Sequence, residues 1–220
     1  MKKIIYPEIP DGFWQVPEGI QVEQIVREII LDVRRRGDDA LREYTARFDG
    51  VDQPVRVIPG TDLKRYPDQL KKDEREAIET IIENVSFFAE KQKQSLKEFT
   101  VERHPGLQLG QRIIPLESAG IYVPSGNFPL VSTVVMCAVP AKVAGVQRIL
   151  MATPPDKDGE VNPYIAAAAY LTGVDEVIPV GGAQAVAAMA YGTASIHAVD
   201  KIVGPGNAYV AEAKRQVYGQ

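Results

Sequence analysis

Four short segments in the second half of the chain carry the residues best placed to do chemistry. They are Pro124-Ser125-Gly126-Asn127, Thr153-Pro154-Pro155, Gly181-Gly182-Ala183-Gln184 and Gly204-Pro205-Gly206-Asn207. Each follows a short apolar run and leads into an apolar, mostly Ala-containing one, and three of the four contain glycine. A helix start offers unpaired backbone N–H groups and a partial positive charge. Glycine there lets an anion approach the backbone closely. Such turns suit a phosphorylated ligand, a dinucleotide included. Turn geometry alone also calls for glycine, so the local pattern leaves both readings open. There is no G-x-G-x-x-G, because Gly204-Pro205-Gly206 continues into Asn207, Ala208 and Tyr209, and no G-x-x-x-x-G-K-[ST] occurs.

Within these segments Gln184 and Asn207 each follow a glycine turn at a helix start. Their amides both donate and accept hydrogen bonds. Asn is a good N-cap and Gln a poor one. Asn207 therefore reads equally as a cap or as a ligand contact, and Gln184 is the more informative of the two. Tyr122, late in an apolar strand, reads as core, with a hydroxyl that still wants a partner.

Other reactive side chains form no pattern. His104 lies beside a hairpin turn, and His197 sits between a helix and a strand with no carboxylate spaced to make a dyad. Cys137, inside an apolar helix, reads as core. Asp156, Asp158 and Glu160 surround Gly159 in a run too short for an EF-hand loop and read as solvated. Two histidines and one cysteine at these spacings predict no zinc site built within this chain. A single cysteine cannot form an internal disulfide, which points to a reducing, cytoplasmic setting.

The elements that must hold these segments follow from periodicity. Val22, Ile25, Val26, Ile29, Ile30 and Val33 fall on one stripe of a helix over 21–36. Gly37 suits its C-terminal end, and Asp38 the N-cap of a second helix carrying Leu41, Tyr44 and Phe48 and ending at Asp49-Gly50. Val55–Ile58 is a short strand. A long helix runs from Pro67 to about Leu96, with a stripe of Leu70, Ala77, Ile78, Ile81, Ile82, Val85, Phe88 and Ala89. A hairpin follows with its turn at Pro105-Gly106. Beyond 117, strands at 119–123, 148–153, 175–180 and 200–204 alternate with helices at 130–144, 162–173, 183–192 and 207–219, with Pro140 predicting a kink or break in the first helix. This is an α/β chain: an N-terminal helical segment with a hairpin over 1–116, then a Rossmann-like parallel sheet of about four β-α units over 117–220. Ligands of such a sheet bind at the carboxyl ends of the strands, where the four segments fall.

Composition agrees with that division. The chain has 220 residues, 45% apolar, and a net charge of −4. Residues 1–110 carry 39 charged side chains and 111–220 only 15, as expected where strands are covered on both faces. A net negative charge argues against a general nucleic-acid grip. No run of 18 apolar residues free of charge suggests a membrane span, and MKKIIYPEIPDGFW has no apolar core of a secretory signal.

Three blocks in the second half carry a resemblance. GIYVPSGNFPLVSTVVMCAVPAKVAGV, GVDEVIPVGGAQAVAAMAYGT and VDKIVGPGNAYVAEAKRQVYG, in this order and at these separations, closely resemble the histidinol dehydrogenase family. The RGDDAL and FDG segments extend the likeness weakly into the first half. The resemblance implies a zinc- and NAD-dependent homodimer of histidine biosynthesis that oxidises L-histidinol to L-histidine through L-histidinal. It further implies that Tyr122, Gln184 and Asn207 contact NAD, in Rossmann-like domains lacking the usual glycine fingerprint. Where the family reads P-G-G after the tyrosine strand, this chain has Pro124-Ser125-Gly126. Family members run to about twice this length, and the resemblance places the zinc ligands and the catalytic glutamate–histidine pair outside this sequence. No residue here is assigned to either role, and the chain alone is expected to be inactive. The first-half helices, left without a cover, are expected to expose apolar patches and associate. Two other readings stand beside this one: a non-catalytic nucleotide-binding or assembly module that kept the fold, and a relative acting on another amino alcohol. A coding region running past Gln220 into a half rich in His and Asp would favour the enzyme.

Overall fold

The computed structural model describes residues 22–125 and 128–219. Residue 21 of the first helix, Gln220, and Gly126 and Asn127 of the first glycine segment lie outside the described residues. Helix α1 (Val22–Arg36) and helix α2 (Asp38–Asp49) are joined by Gly37 alone. Gly37 adopts φ 57° and is itself the N-cap of α2, so Asp38 takes the first helical position instead of the cap expected for it. A one-residue junction at positive φ leaves no room for a separate cap. The two-residue strand β1 (Ile58–Pro59) leads through 3₁₀ turns at Gly60–Arg65 and Pro67–Gln69 into helix α3 (Lys72–Gln94). The hairpin of β2 (Phe99–His104) and β3 (Leu107–Gln111) follows.

Then come four β-α units: β4 (Ser118–Tyr122) and α4 (Val131–Ala144), β5 (Arg148–Ala152) and α5 (Pro163–Leu171), β6 (Glu176–Ile178) and α6 (Gly182–Tyr191), β7 (Lys201–Val203) and α7 (Ala208–Val217). Helix α4 runs unbroken through Pro140. Proline deletes one bond there, the one to the Met136 carbonyl a turn earlier, and Met136 lies on the exposed side.

The sheet order is β1-β6-β5-β4-β7, with β4 to β7 parallel and β1 antiparallel on the β6 edge. β5 and β6 extend to one side of β4 and β7 lies on the other. The chain therefore reverses direction across the sheet between β4 and β7, the switch point where a crevice opens at the strand ends. Asp200 fixes this junction from below: its carboxylate accepts the Ser118 N–H at 2.8 Å and the Ser118 hydroxyl at 3.0 Å.

Both faces are covered. On one, Val26, Ile29, Ile30 and Val33 of α1 and Ala40 and Leu41 of α2 pack with α6 and with Val210 and Ala213 of α7. Each such aliphatic group taken from water stabilises by about 1.5–3 kcal/mol. On the other face α4, α5 and the 3₁₀ turns pack with Ile78 of α3. The α3 stripe is narrower than its apolar pattern: Ile78 and Ala89 are buried, while Ala77, Ile81, Phe87 and Phe88 are exposed. The helix lies along α4 by one edge, and among the described residues nothing covers the rest. The hairpin is exposed at every position.

Candidate functional site

Three of the four loops at the carboxyl edge meet through direct contacts. Tyr122 ends β4 and is buried. Its hydroxyl oxygen accepts the backbone N–H of Gly182, the first residue of α6, at 3.0 Å. A strand end is thereby tied to the start of a helix two β-α units later. Burial pushes the Tyr122 hydroxyl above its ordinary range; the Gly182 N–H opposes this and the Asp49 carboxylate adds to it. Beside it, the turn after β7 presses on the same strand end: a Cβ on Gly204, which has φ 115°, would stand 2.2 Å from the Tyr122 carbonyl oxygen. The turn after β5 closes from the other side, with Pro154 lying against Gly181.

Gln184, in the first turn of α6, is 1% exposed, yet neither its amide nitrogen nor its amide oxygen has a partner. Its side chain folds back under Gly182, whose φ of 66° leaves no room for a Cβ: the amide oxygen would be 2.5 Å from one. The N-cap of α6 is Gly181, so the helix has no side-chain cap. A buried amide without hydrogen bonds costs about 1–3 kcal/mol. A buried amide of this kind calls for a partner, and an ordered water or a ligand would each supply one.

Asn207 is exposed at the N-cap of α7, where its side-chain oxygen accepts the Val210 N–H at 3.1 Å. The capping reading therefore holds, and its amide N–H groups remain unpaired within the described chain. Lys214, one helical face behind, donates to the Gly204 carbonyl at 2.6 Å and holds the turn. Ser125 pairs with Pro129 across the first loop, and no described residue other than glycine has positive φ. Serine is thus accommodated there without strain.

The remaining candidates stay apart from this edge. His104 is on the exposed hairpin, and His197 is exposed with its backbone carbonyl accepting from Arg148. Cys137 packs against the α4–α5 side, and burial pushes its thiol up. Asp156 accepts the N–H groups of Asp158 and Glu160, and Glu160 pairs with Arg56 at 2.8 Å, so this acidic loop is closed on itself. Sequence reasoning gave Asp49 no part in the site and read Thr153 only as part of the turn after its strand. Thr153, directly after β5, is fully buried with an unpartnered hydroxyl, and Asp49 at the end of α2 has a buried, unpartnered carboxylate oxygen. No motif spacing links either residue to Tyr122 or Gln184.

The unpartnered Gln184 amide at the start of α6 fits a nucleotide cofactor, while Gly181, Gly182, Gly204 and Gly206 are required by contacts within the chain itself. Zinc does not find such a fit: among the described residues no three His, Cys, Asp or Glu side chains come together to hold a metal ion. Strand order and loop convergence together define a Rossmann-like α/β unit.

Known proteins with this architecture place the chain further. The histidinol dehydrogenase family model matches residues 16–220. Histidinol dehydrogenase of Geobacter sulfurreducens is 50% identical over 205 residues, spanning 92% of this chain and 47% of the relative. That of Listeria innocua is 49% identical over 199 residues, spanning 90% and 46%. The crystal structure of histidinol dehydrogenase from Elizabethkingia anophelis superposes with a TM-score of 0.84 at 33% identity, over 92% of this chain and 46% of that one. The chain belongs to the histidinol dehydrogenase family, and it spans about half the length of the curated relatives it matches.

Proposed function

We propose that this chain supplies the NAD-binding part of a histidinol dehydrogenase, the enzyme that oxidises L-histidinol to L-histidine through L-histidinal in histidine biosynthesis. The observation that carries this reading is the buried, unpartnered Gln184 amide at the carboxyl edge of a parallel sheet, in a chain of this family. Tyr122, Gln184 and Asn207 hold the dinucleotide, residues 117–220 form its binding unit, and residues up to 116 belong to a larger unit shared with further sequence. NAD, when bound, supplies the hydride acceptor. The protein's part at this edge is to orient it. The α6 N-terminus and the glycine turns present N–H groups to its phosphates, and the Gln184 amide both donates to and accepts from its polar groups.

Removing hydride from an alcohol also requires a base for the hydroxyl proton, a role given to none of Tyr122, Gln184 and Asn207. In the family reading the base and the zinc come from the rest of the protein, which works as a homodimer in the cytoplasm. Among the described residues no helix is long and apolar enough to cross a membrane. The 220-residue chain mixed with L-histidinol and NAD is expected to form no NADH. A protein carrying the same residues at full family length is expected to form it. NADH formation by the chain alone would overturn this division of labour.

Assembly is expected as well. Phe87, Phe88, Phe99, Val101, Leu107, Leu109 and Ile114 form exposed apolar surface on α3, the hairpin and the loop following it, and surface of this kind marks association. Light scattering is expected to show a mass that rises with concentration; a constant monomer mass would contradict it.

A further inference from the structure

We propose that Asp49 is a further ligand-binding residue of this site, its carboxylate accepting a hydrogen bond from a ribose hydroxyl of the dinucleotide. The inference rests on the cofactor reading given above. Asp49 closes α2, an element that packs on α6 from outside the four β-α units. One oxygen of its carboxylate is buried and has no partner. The chain by itself gives this charge no favourable setting. It stands at the carboxyl end of a helix, where the dipole disfavours a negative group. Burial pushes its carboxyl up, with no opposing group. Thr45, one turn earlier on the same helix, is likewise buried with an unpartnered hydroxyl, and it lines the same small cavity as Val180, just beyond the carboxyl end of β6. One face of α2 thus brings unsatisfied polar groups to the edge where Gln184 and Thr153 are also unsatisfied.

Tyr122 indicates the kind of group that fills the space. Its oxygen is occupied by the Gly182 N–H, so its proton is free to be donated. When ionised, the Asp49 carboxylate, whose charge bears on that hydroxyl, can only accept. A ribose hydroxyl can accept from Tyr122 and donate to Asp49 at the same time. The hydroxyl-bearing parts of a dinucleotide are its riboses, and an acidic residue on a ribose is how nucleotide folds of this type commonly read NAD.

The test is NAD titration and thermal unfolding of Asp49→Ala and Asp49→Asn beside the wild-type chain, with Gln184→Ala as the reference for the site. Without nucleotide, both Asp49 variants are expected to melt no lower than wild type. Affinity for NAD is expected to fall about tenfold in Asp49→Ala and less in Asp49→Asn, which keeps an acceptor oxygen. Affinity within twofold of wild type in both variants, while Gln184→Ala loses binding, would overturn the role of Asp49 and leave the cofactor reading standing. A lower melting temperature with unchanged affinity would make the carboxylate structural and also overturn it. A wild-type chain that binds no NAD would overturn the cofactor reading itself, and this proposal with it.

Discussion

Replacing Gly204 with alanine is expected to destabilise the chain by about 3–4 kcal/mol and to abolish nucleotide binding. Two costs add at this position. An L-residue held at φ 115° is strained by about 1–3 kcal/mol. The new methyl would also stand 2.2 Å from the Tyr122 carbonyl oxygen, a backbone atom in a fully buried strand that cannot move aside cheaply. Overpacking of this kind costs about 1–3 kcal/mol more. For a chain of this size the sum lowers the melting temperature by about 10 °C. Gly50→Ala separates the two costs, because Gly50 has φ 74° with nothing within 4 Å of an added Cβ. It is expected to cost about 1 kcal/mol. Equal losses in the two variants, measured by thermal unfolding, would mean that the β7 turn does not press on β4. Binding fails in Gly204→Ala because relief of the clash must separate the β7 turn from the end of β4, and those two segments carry Asn207 and Tyr122.

Gln184→Met is expected to move stability and binding in opposite directions. Methionine is unbranched, close to glutamine in length, and equally content in a helix. The substitution removes two buried polar atoms that have no partner. Stability should rise by about 2 kcal/mol, the typical cost of leaving such groups unpaired. The same atoms are those argued to meet NAD, and losing two hydrogen bonds there weakens binding by about 100-fold. A gain in stability with a loss in affinity is the behaviour of a site residue that the fold tolerates at a cost. A drop in melting temperature would show instead that the amide holds the α6 turn together, and would remove the main support for the cofactor reading. Paired thermal melts and NAD titrations decide between these outcomes.

The four β-α units are legible in the sequence because each strand is a short, mostly apolar segment of three to five residues followed by a turn, a pattern that a sheet covered on both faces imposes. The edge on which Tyr122, Gln184 and Asn207 fall is legible for the same reason. Which strands neighbour one another is not, because β4 and β7 are joined across two intervening units and periodicity carries no information about that pairing. Asp49 was therefore invisible as part of the edge: it lies on another helix, and only the packing of α2 on α6 brings it near Tyr122. On α3, Phe87 and Phe88 show the opposite limit. An apolar stripe states that a helix can be covered, and not that the described chain covers it. Asn207 remained double in the sequence because capping and ligand contact ask for the same amide, and the structure shows the cap while leaving the N–H groups free.

The central claim is that NAD sits at the carboxyl edge of the parallel sheet, held by Tyr122, Gln184 and Asn207. Backbone amide NMR of the isotope-labelled chain during NAD titration tests it most directly. Saturable shifts are predicted at Gly181, Gly182, Gln184, Gly204, Gly206 and Asn207 and around Tyr122, with none along the hairpin of β2 and β3. No saturable shift at any of these positions, or a set of shifts centred on the hairpin or on α3, would contradict the account.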